Sequence, residues 1–249
     1  MRFGLISDIH SNLAALEAVL KDLGKVDGLL CVGDIVGYGP QPNEVIERIR
    51  EYELFTILGN HDMAVLGLLE LQEFNHDAIE ANLWTREKLT KENWEWLESL
   101  KTKAKFDENV TLAHGSPLEP VWEYLTTPHA ASRNFPEFDT PLCFVGHTHL
   151  PRLFRMLDGK RPGTNLPKVE MHIPDPGQTI IIGFGRLILN PGSVGQPRDG
   201  DSRASYAIYD DVEETIVFKR VAYDIKRTQQ LMQDQGLPQR LLMRLDYGL

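Results

Sequence analysis

The chain has 249 residues, 42% of them hydrophobic and 25% charged, enough to bury a sizeable core as one large domain or two small ones. Its net charge of −10 and pI near 5.3 argue against a protein that grips extended nucleic acid through a broad basic face, although a local metal can still draw in an anionic substrate. No apolar run approaches the roughly 20 residues of a membrane span. The two cysteines, Cys31 and Cys143, sit in apolar runs, which points to a reducing cytoplasm.

Residues 3–6 form a short apolar run that reads as a buried β-strand. Asp8 and His10 follow two positions apart, a spacing that converges in an extended backbone. Leu13, Leu16, Leu20 and Leu23 recur at helical spacing behind Ser11 and Asn12, either of which suits an N-cap. Residues 28–33 predict a second strand, stopping at Asp34. A turn-rich loop through Gly37, Tyr38 and Gly39 leads to Pro42, which suits the first turn of a helix over about 43–51. Residues 54–58 predict a third strand, ending at Gly59-Asn60-His61-Asp62. This β-α-β-α-β alternation predicts parallel pairing.

Three helical segments are expected over 63–100, with breaks near Glu73 and Thr90. A strand over 110–113 ends at His114, and residues 118–141 read as an irregular segment with short helices that would lie over the site as a lid. A strand over 142–145 ends at Gly146-His147-Thr148-His149. Beyond it, short strand-like runs over 151–157, 168–172, 179–182, 186–189, 205–210 and 215–220 predict largely antiparallel hairpins. Residues 224–249 read as a helical tail. No linker separates the halves, so residues 1–249 are expected to form one domain.

The strand ends together carry Asp8, His10, Asp34, Asn60, His61, Asp62, His114, His147 and His149, including five of the eight histidines. Any one histidine is explained by capping or core hydrogen bonding; the set at successive strand ends is not. Carboxylates and imidazoles without thiolates suit a pair of Zn, Fe or Mn ions rather than a structural zinc. Asp34 has two oxygens with which to bridge two cations, and Asn60 adds an uncharged oxygen. Such a pair generates hydroxide near neutral pH and stabilises charge on phosphoryl oxygens. His61 could protonate a leaving alkoxide, with Asp62 fixing its tautomer.

The ordered series D-x-H, G-D, G-N-H-D, H-G and G-H-T-H resembles the calcineurin-like metallophosphoesterase superfamily. The later stretch Asn190-Pro-Gly-Ser-Val-Gly-Gln-Pro-Arg198 is similar to small bacterial and archaeal members described as phosphodiesterases. The resemblance implies an α/β fold, a four-layer α/β/β/α sandwich with two mixed β-sheets. It implies that Asp8, His10 and His149 bind one metal, that Asn60, His114 and His147 bind the other, and that Asp34 bridges them, with His61 as general acid. It further implies a small phosphate-ester substrate, with diesters favoured.

Where protein phosphatases and the dinucleoside tetraphosphatases similar to them carry an Asp-Arg pair, this chain has Gly37 and Tyr38, which disfavours both activities. A phosphomonoesterase, a dinucleoside polyphosphate hydrolase and a metal-binding scaffold without activity are the alternative readings. Asn12, Tyr38 and Arg198 are the candidate substrate contacts. Arg198 is suited to phosphate because a guanidinium matches it bidentately.

Overall fold

The computed structural model describes residues 1–183 and 185–249. Its elements are β1 (Arg2–Ile6), α1 (Leu13–Leu23), β2 (Gly28–Cys31), α2 (Pro42–Ile49), β3 (Leu54–Thr56), α3 (Asn60–Leu66), α4 (His76–Lys88), α5 (Lys91–Glu98), β4 (Lys103–Lys105), β5 (Val110–Ala113), α6 (Pro128–Asn134), β6 (Leu142–Phe144), β7 (Arg152–Lys160), β8 (Pro167–His172), β9 (Thr179–Ile181), β10 (Leu187–Asn190), β11 (Ala204–Asp210), β12 (Thr215–Val221), α7 (Ile225–Asp234) and α8 (Gln239–Tyr247). They build two six-stranded mixed sheets, ordered β3-β2-β1-β11-β12-β9 and β4-β5-β6-β10-β7-β8. The predicted sandwich is what forms.

Both faces of each sheet are covered, so their central strands are buried on nearly every residue rather than on alternate ones. Leu5 and Leu30 point between the sheets, where they meet Leu112, Phe144, Leu189 and Phe218. Their neighbours Ile6, Leu29 and Cys31 point the other way, onto Leu16, Val19 and Leu20 of α1 and Ile46 of α2. The outer face of the second sheet packs Cys143, Val145 and Ile188 against Ala131 of α6 and Phe135. A fourth cluster joins Tyr38 and Ala81 of α4 to Met232 of α7 and Leu241, Leu242 and Leu245 of α8. Burying each such aliphatic side chain contributes about 1.5–3 kcal/mol.

The parallel pairing expected of the first three strands is present, with Ile6 opposite Cys31 and Cys31 opposite Thr56. The antiparallel expectation for the later strands holds except at β10, which pairs parallel with β6 and antiparallel with β7. The sequence reading missed β4. Its Lys-Ala-Lys offers one small apolar residue between two lysines, too little to signal a strand, and it is an edge strand paired among the described residues with β5 alone. Asn12 rather than Ser11 caps α1, accepting from the Ala15 N–H at 3.2 Å. No helix of the described residues is long and apolar enough to cross a membrane.

Candidate metal centre

Beyond their last paired residues, β1 and β2 stay zipped through backbone hydrogen bonds from Asp8 N–H to Gly33 O and from His10 N–H to Asp34 O, each 3.0 Å. The loop after β10 lies against the same segment, with Gly195 N–H on Asp8 O at 2.9 Å and the Ser193 hydroxyl on it at 2.8 Å. The loop after β6 is tied in by the His147 N–H, which donates to Asp8 Oδ1 at 3.1 Å. Four strand ends thus meet at one point.

Asp8 and His10 do not converge through extended backbone, as the spacing had suggested. Asp8, His10, Asp34, His147 and His149 all have positive φ, between 49° and 65°. That left-handed region disfavours non-glycine residues by about 1–3 kcal/mol each. The turns there are too tight for strand geometry, and surrounding hydrogen bonds hold the strain in place.

Asp8, His10, Asp34 and His149 form one group whose donor atoms lie within 4.8 Å of one another, and Asp34, His114 and His147 form a second. Asp34 Oδ2 lies 3.5 Å from His10 Nε2 and 3.3 Å from His114 Nε2, while Asn60 Oδ1 is 3.1 Å from His114 Nε2. Every candidate ligand is buried.

The donor chemistry fits cations. His10 Nδ1 donates to Val36 O at 3.2 Å, His114 Nδ1 to Val32 O at 2.7 Å and His149 Nδ1 to Gln196 O. With Nδ1 so engaged, each ring presents Nε2 to the cluster, the arrangement that carbonyl partners impose on metal-binding histidines. Burial keeps His10 and His149 well below the usual histidine range, so their Nε2 lone pairs face each other across 3.2 Å with no proton to share. Oδ2 of Asp8, Oδ2 of Asp34 and Nε2 of His147 are likewise buried without a hydrogen-bond partner.

The charges are strongly skewed. Burial pushes the Asp34 carboxyl up, but His114, His61 and His10 outweigh it and hold it well below the carboxylate range. Burial lowers His114, yet the neighbouring Asp34 carboxylate brings it up to about 9. Burial raises Asp8 to about 7 and takes His147 down to about 3.

Asn60, His61 and Asp62 belong to the first turn of α3 rather than to a loop before it. Gly59 permits a close approach there: a Cβ at that position would sit 2.1 Å from Asp34 Oδ1. Asp62 makes no hydrogen bond to the His61 ring among the described residues, which corrects the role expected of it. Its carboxylate is occupied by the N–H groups of Val36 and Gly59, both at 2.9 Å, and it locks the two loops together. His61 Nδ1 instead meets Asn82 Oδ1 on α4 at 3.0 Å, 21 residues downstream and outside any motif.

Asp34, Asn60, His61, His147 and His149 line a small pocket together with Tyr38, Phe74, Trp122, Tyr124 and Arg198. Tyr38 is buried, its ring centroid 4.2 Å from that of His61, and the Arg198 guanidinium lies 5.9 Å over its ring. Asn12 takes no part in this lining, contrary to expectation. Its Oδ1 caps α1 and accepts from Thr228 at 3.0 Å, and its Nδ2 donates to Gly195 O at 2.9 Å. Within the segment expected as a lid, Trp122 and Tyr124 reach the pocket, whereas Ala131 and Phe135 pack into the outer core.

Asn190, the last residue of β10, anchors the last motif: its Nδ2 donates to Gly146 O and to Thr148 Oγ1. A strand ending in Asn rather than an apolar residue was the available signal.

A family model for the calcineurin-like phosphoesterase superfamily domain matches residues 1–214. The chain belongs to the calcineurin-like phosphoesterase superfamily. It is 38% identical over 250 residues to an uncharacterized protein of Methanocaldococcus jannaschii, covering 98% of this chain and 97% of that one. It is 47% identical to a metallophosphoesterase of known crystal structure from Sphaerobacter thermophilus, with a TM-score of 0.88 and coverage of 100% and 99%. A hypothetical protein from Pyrococcus horikoshii shares the fold at 21% identity, with a TM-score of 0.77 and coverage of 100% and 98%. As a calcineurin-like phosphoesterase, the chain is a metal-dependent phosphoric ester hydrolase, and its buried Asp/His cluster is its metal-binding centre.

Proposed function

We propose that the protein is a dinuclear phosphodiesterase acting on small phosphodiesters in the cytoplasm. The observation that carries this reading is the shared position of Asp34 between two ligand groups. Asp8, His10 and His149 would hold one ion, Asn60, His114 and His147 the other, and Asp34 would serve both. Mn, Fe and Zn all suit this mixed N/O donor set. When bound, such a pair supplies a nucleophilic hydroxide near neutral pH and positive charge for the phosphoryl oxygens.

The protein's own groups do the rest. His61 lines the pocket beside the ligands and would protonate the leaving oxygen. Tyr38, whose hydroxyl is pushed up by burial, remains a hydrogen-bond donor, and Arg198 offers a guanidinium to a nonbridging oxygen. The small pocket, lined also by Phe74, Trp122 and Tyr124, favours a compact substrate over a protein surface. An acidic chain disfavours extended nucleic acid. Both cysteines are free and buried, in keeping with a reducing compartment.

The deciding assay compares bis-p-nitrophenyl phosphate with p-nitrophenyl phosphate, using protein stripped of metal and reloaded separately with Mn, Fe, Zn or Mg. Diester hydrolysis restored by metal and abolished in Asp34→Asn and His61→Ala is the expected result. Turnover of the monoester alone would replace the diesterase reading with a phosphatase one, and metal binding without turnover of either would favour a scaffold.

A further inference from the structure

His61 is gripped by a residue that belongs to none of the strand-end motifs. Asn82 Oδ1 lies 3.0 Å from His61 Nδ1, and both side chains are buried. Asn82 has no other polar contact among the described residues, and its Nδ2 is buried without a partner. An amide carried into the interior with one of its groups unsatisfied is unfavourable for stability. Its presence there is best explained by the one bond that it does make.

The backbone is shaped around that bond. Gly37 has φ +85°, and a Cβ added to it would lie 2.9 Å from Asn82 Oδ1 and 3.0 Å from His61 Nδ1. Any side chain at position 37 would therefore wedge against the pair. Tyr38 and Phe74 fix the rest of the ring, with centroids 4.2 and 5.1 Å from that of His61. The nearer carboxylate in sequence, Asp62, is occupied by backbone N–H groups.

We infer that Asn82 is the positioning residue for His61: its carbonyl oxygen accepts from Nδ1–H and turns Nε2 toward the pocket, where the imidazolium form carries the proton given to the leaving oxygen. An amide does this without adding another anion beside Asp34. The kinetic consequence rests on the diesterase reading above; the geometry does not.

A proton donor matters most when the leaving group is poor, so two diesters that differ only there separate positioning from bulk structure. Metal-loaded Asn82→Leu is expected to lose about 10–100-fold in kcat on methyl phenyl phosphate, the range typical of outer partners of catalytic groups. On methyl p-nitrophenyl phosphate, whose leaving group departs as a stable anion, the loss is expected to stay below roughly threefold, with KM little changed. Asn82→Asp, which keeps an acceptor, should recover most of the loss. Equal losses on both esters, or no recovery in Asn82→Asp, would overturn the inference.

A second measurement does not need turnover. In zinc-loaded, ¹⁵N-labelled wild-type protein, long-range ¹H–¹⁵N spectra should show His61 protonated at Nδ1, its signal identified by its loss in His61→Asn. A neutral ring protonated only at Nε2 would overturn the inference, even if the variants prove unstable. Wild-type protein inactive on both esters would instead sink the diesterase proposal and leave the spectrum to decide the role of Asn82.

Discussion

The backbone N–H of His61 donates to Oδ1 of Asp34 at 2.8 Å, so the first turn of α3 holds one oxygen of the carboxylate shared by both ligand groups. The other oxygen, Oδ2, is left facing His10 and His114. An Asp34→Asn variant keeps an oxygen for the His61 N–H but loses the charge that two cations would share. Its metal content is expected to fall from about two ions per chain to one or fewer, with hydrolysis down by at least about 100-fold, given what bridging metals supply. Elemental analysis beside the diester assay checks this. An unchanged metal content would remove Asp34 from the bridging position.

Loading the centre should stabilise the fold appreciably. The Oδ2 atoms of Asp8 and Asp34 and the Nε2 of His147 are buried without a hydrogen-bond partner, so ions that bind there stabilise only the folded state. At a free-ion concentration about 1,000 times Kd the gain is about 4 kcal/mol, or roughly 10 °C in Tm for a chain of this size. Calorimetry with and without a chelator measures it, and a shift of under about 2 °C would contradict a tight, preformed centre.

Position 59 gives a more local test. A methyl group there would collide with Asp34 Oδ1, so Gly59→Ala should displace the shared carboxylate. Both metal occupancy and activity should drop about tenfold or more, as for other changes that misplace a ligand. Wild-type occupancy in a folded Gly59→Ala protein would show that the loop can shift to accommodate the methyl group.

The thiols supply a pH test away from the chemistry. Burial raises Cys31 and Cys143 from 9.0 to about 12. Because the folded-state values lie above the unfolded ones, the stability linked to them is complete below pH 9 and is lost as pH rises from there through 12. Native protein at pH 8 should therefore leave both thiols unreactive toward a disulfide reagent, and denatured protein should expose both. Rapid labelling of the native state would contradict the burial.

The strand-end cluster of carboxylates and imidazoles was legible in the sequence because each member follows an apolar run that the fold must bury, and the runs stop where the loops begin. The mixture of parallel and antiparallel pairing was legible as a change from βα alternation to hairpins, but the division into two sheets was not, because each sheet draws strands from both halves of the chain. Other features lay in three-dimensional neighbours that no local pattern announces. Asn82 sits on a helix whose buried residues, Ala78, Ala81, Asn82 and Thr85, give no apolar stripe to mark its inner face. Asp62 beside His61 looked like the natural partner because adjacency in sequence is all that a linear reading offers. In a helix, neighbouring side chains diverge, and residues three or four apart face one another. Asn12 was legible as a cap, and the cap together with Thr228 and Gly195 engages its side chain fully.

The place of β1 in its sheet bears on how the protein is made. It lies between β2 and β11, and its partner residues reach from Gly28 to Asp210. During synthesis the chain's opening strand can take its first neighbour early, but it stays open along its other edge until more than 200 residues have emerged. Such distant pairing is slow to form, and the loop bearing Ser193 and Gly195, which holds the Asp8 carbonyl, comes only just before β11. Ions therefore have no finished cage to enter while translation is under way. The earliest ligand to be made is among the last to be fixed.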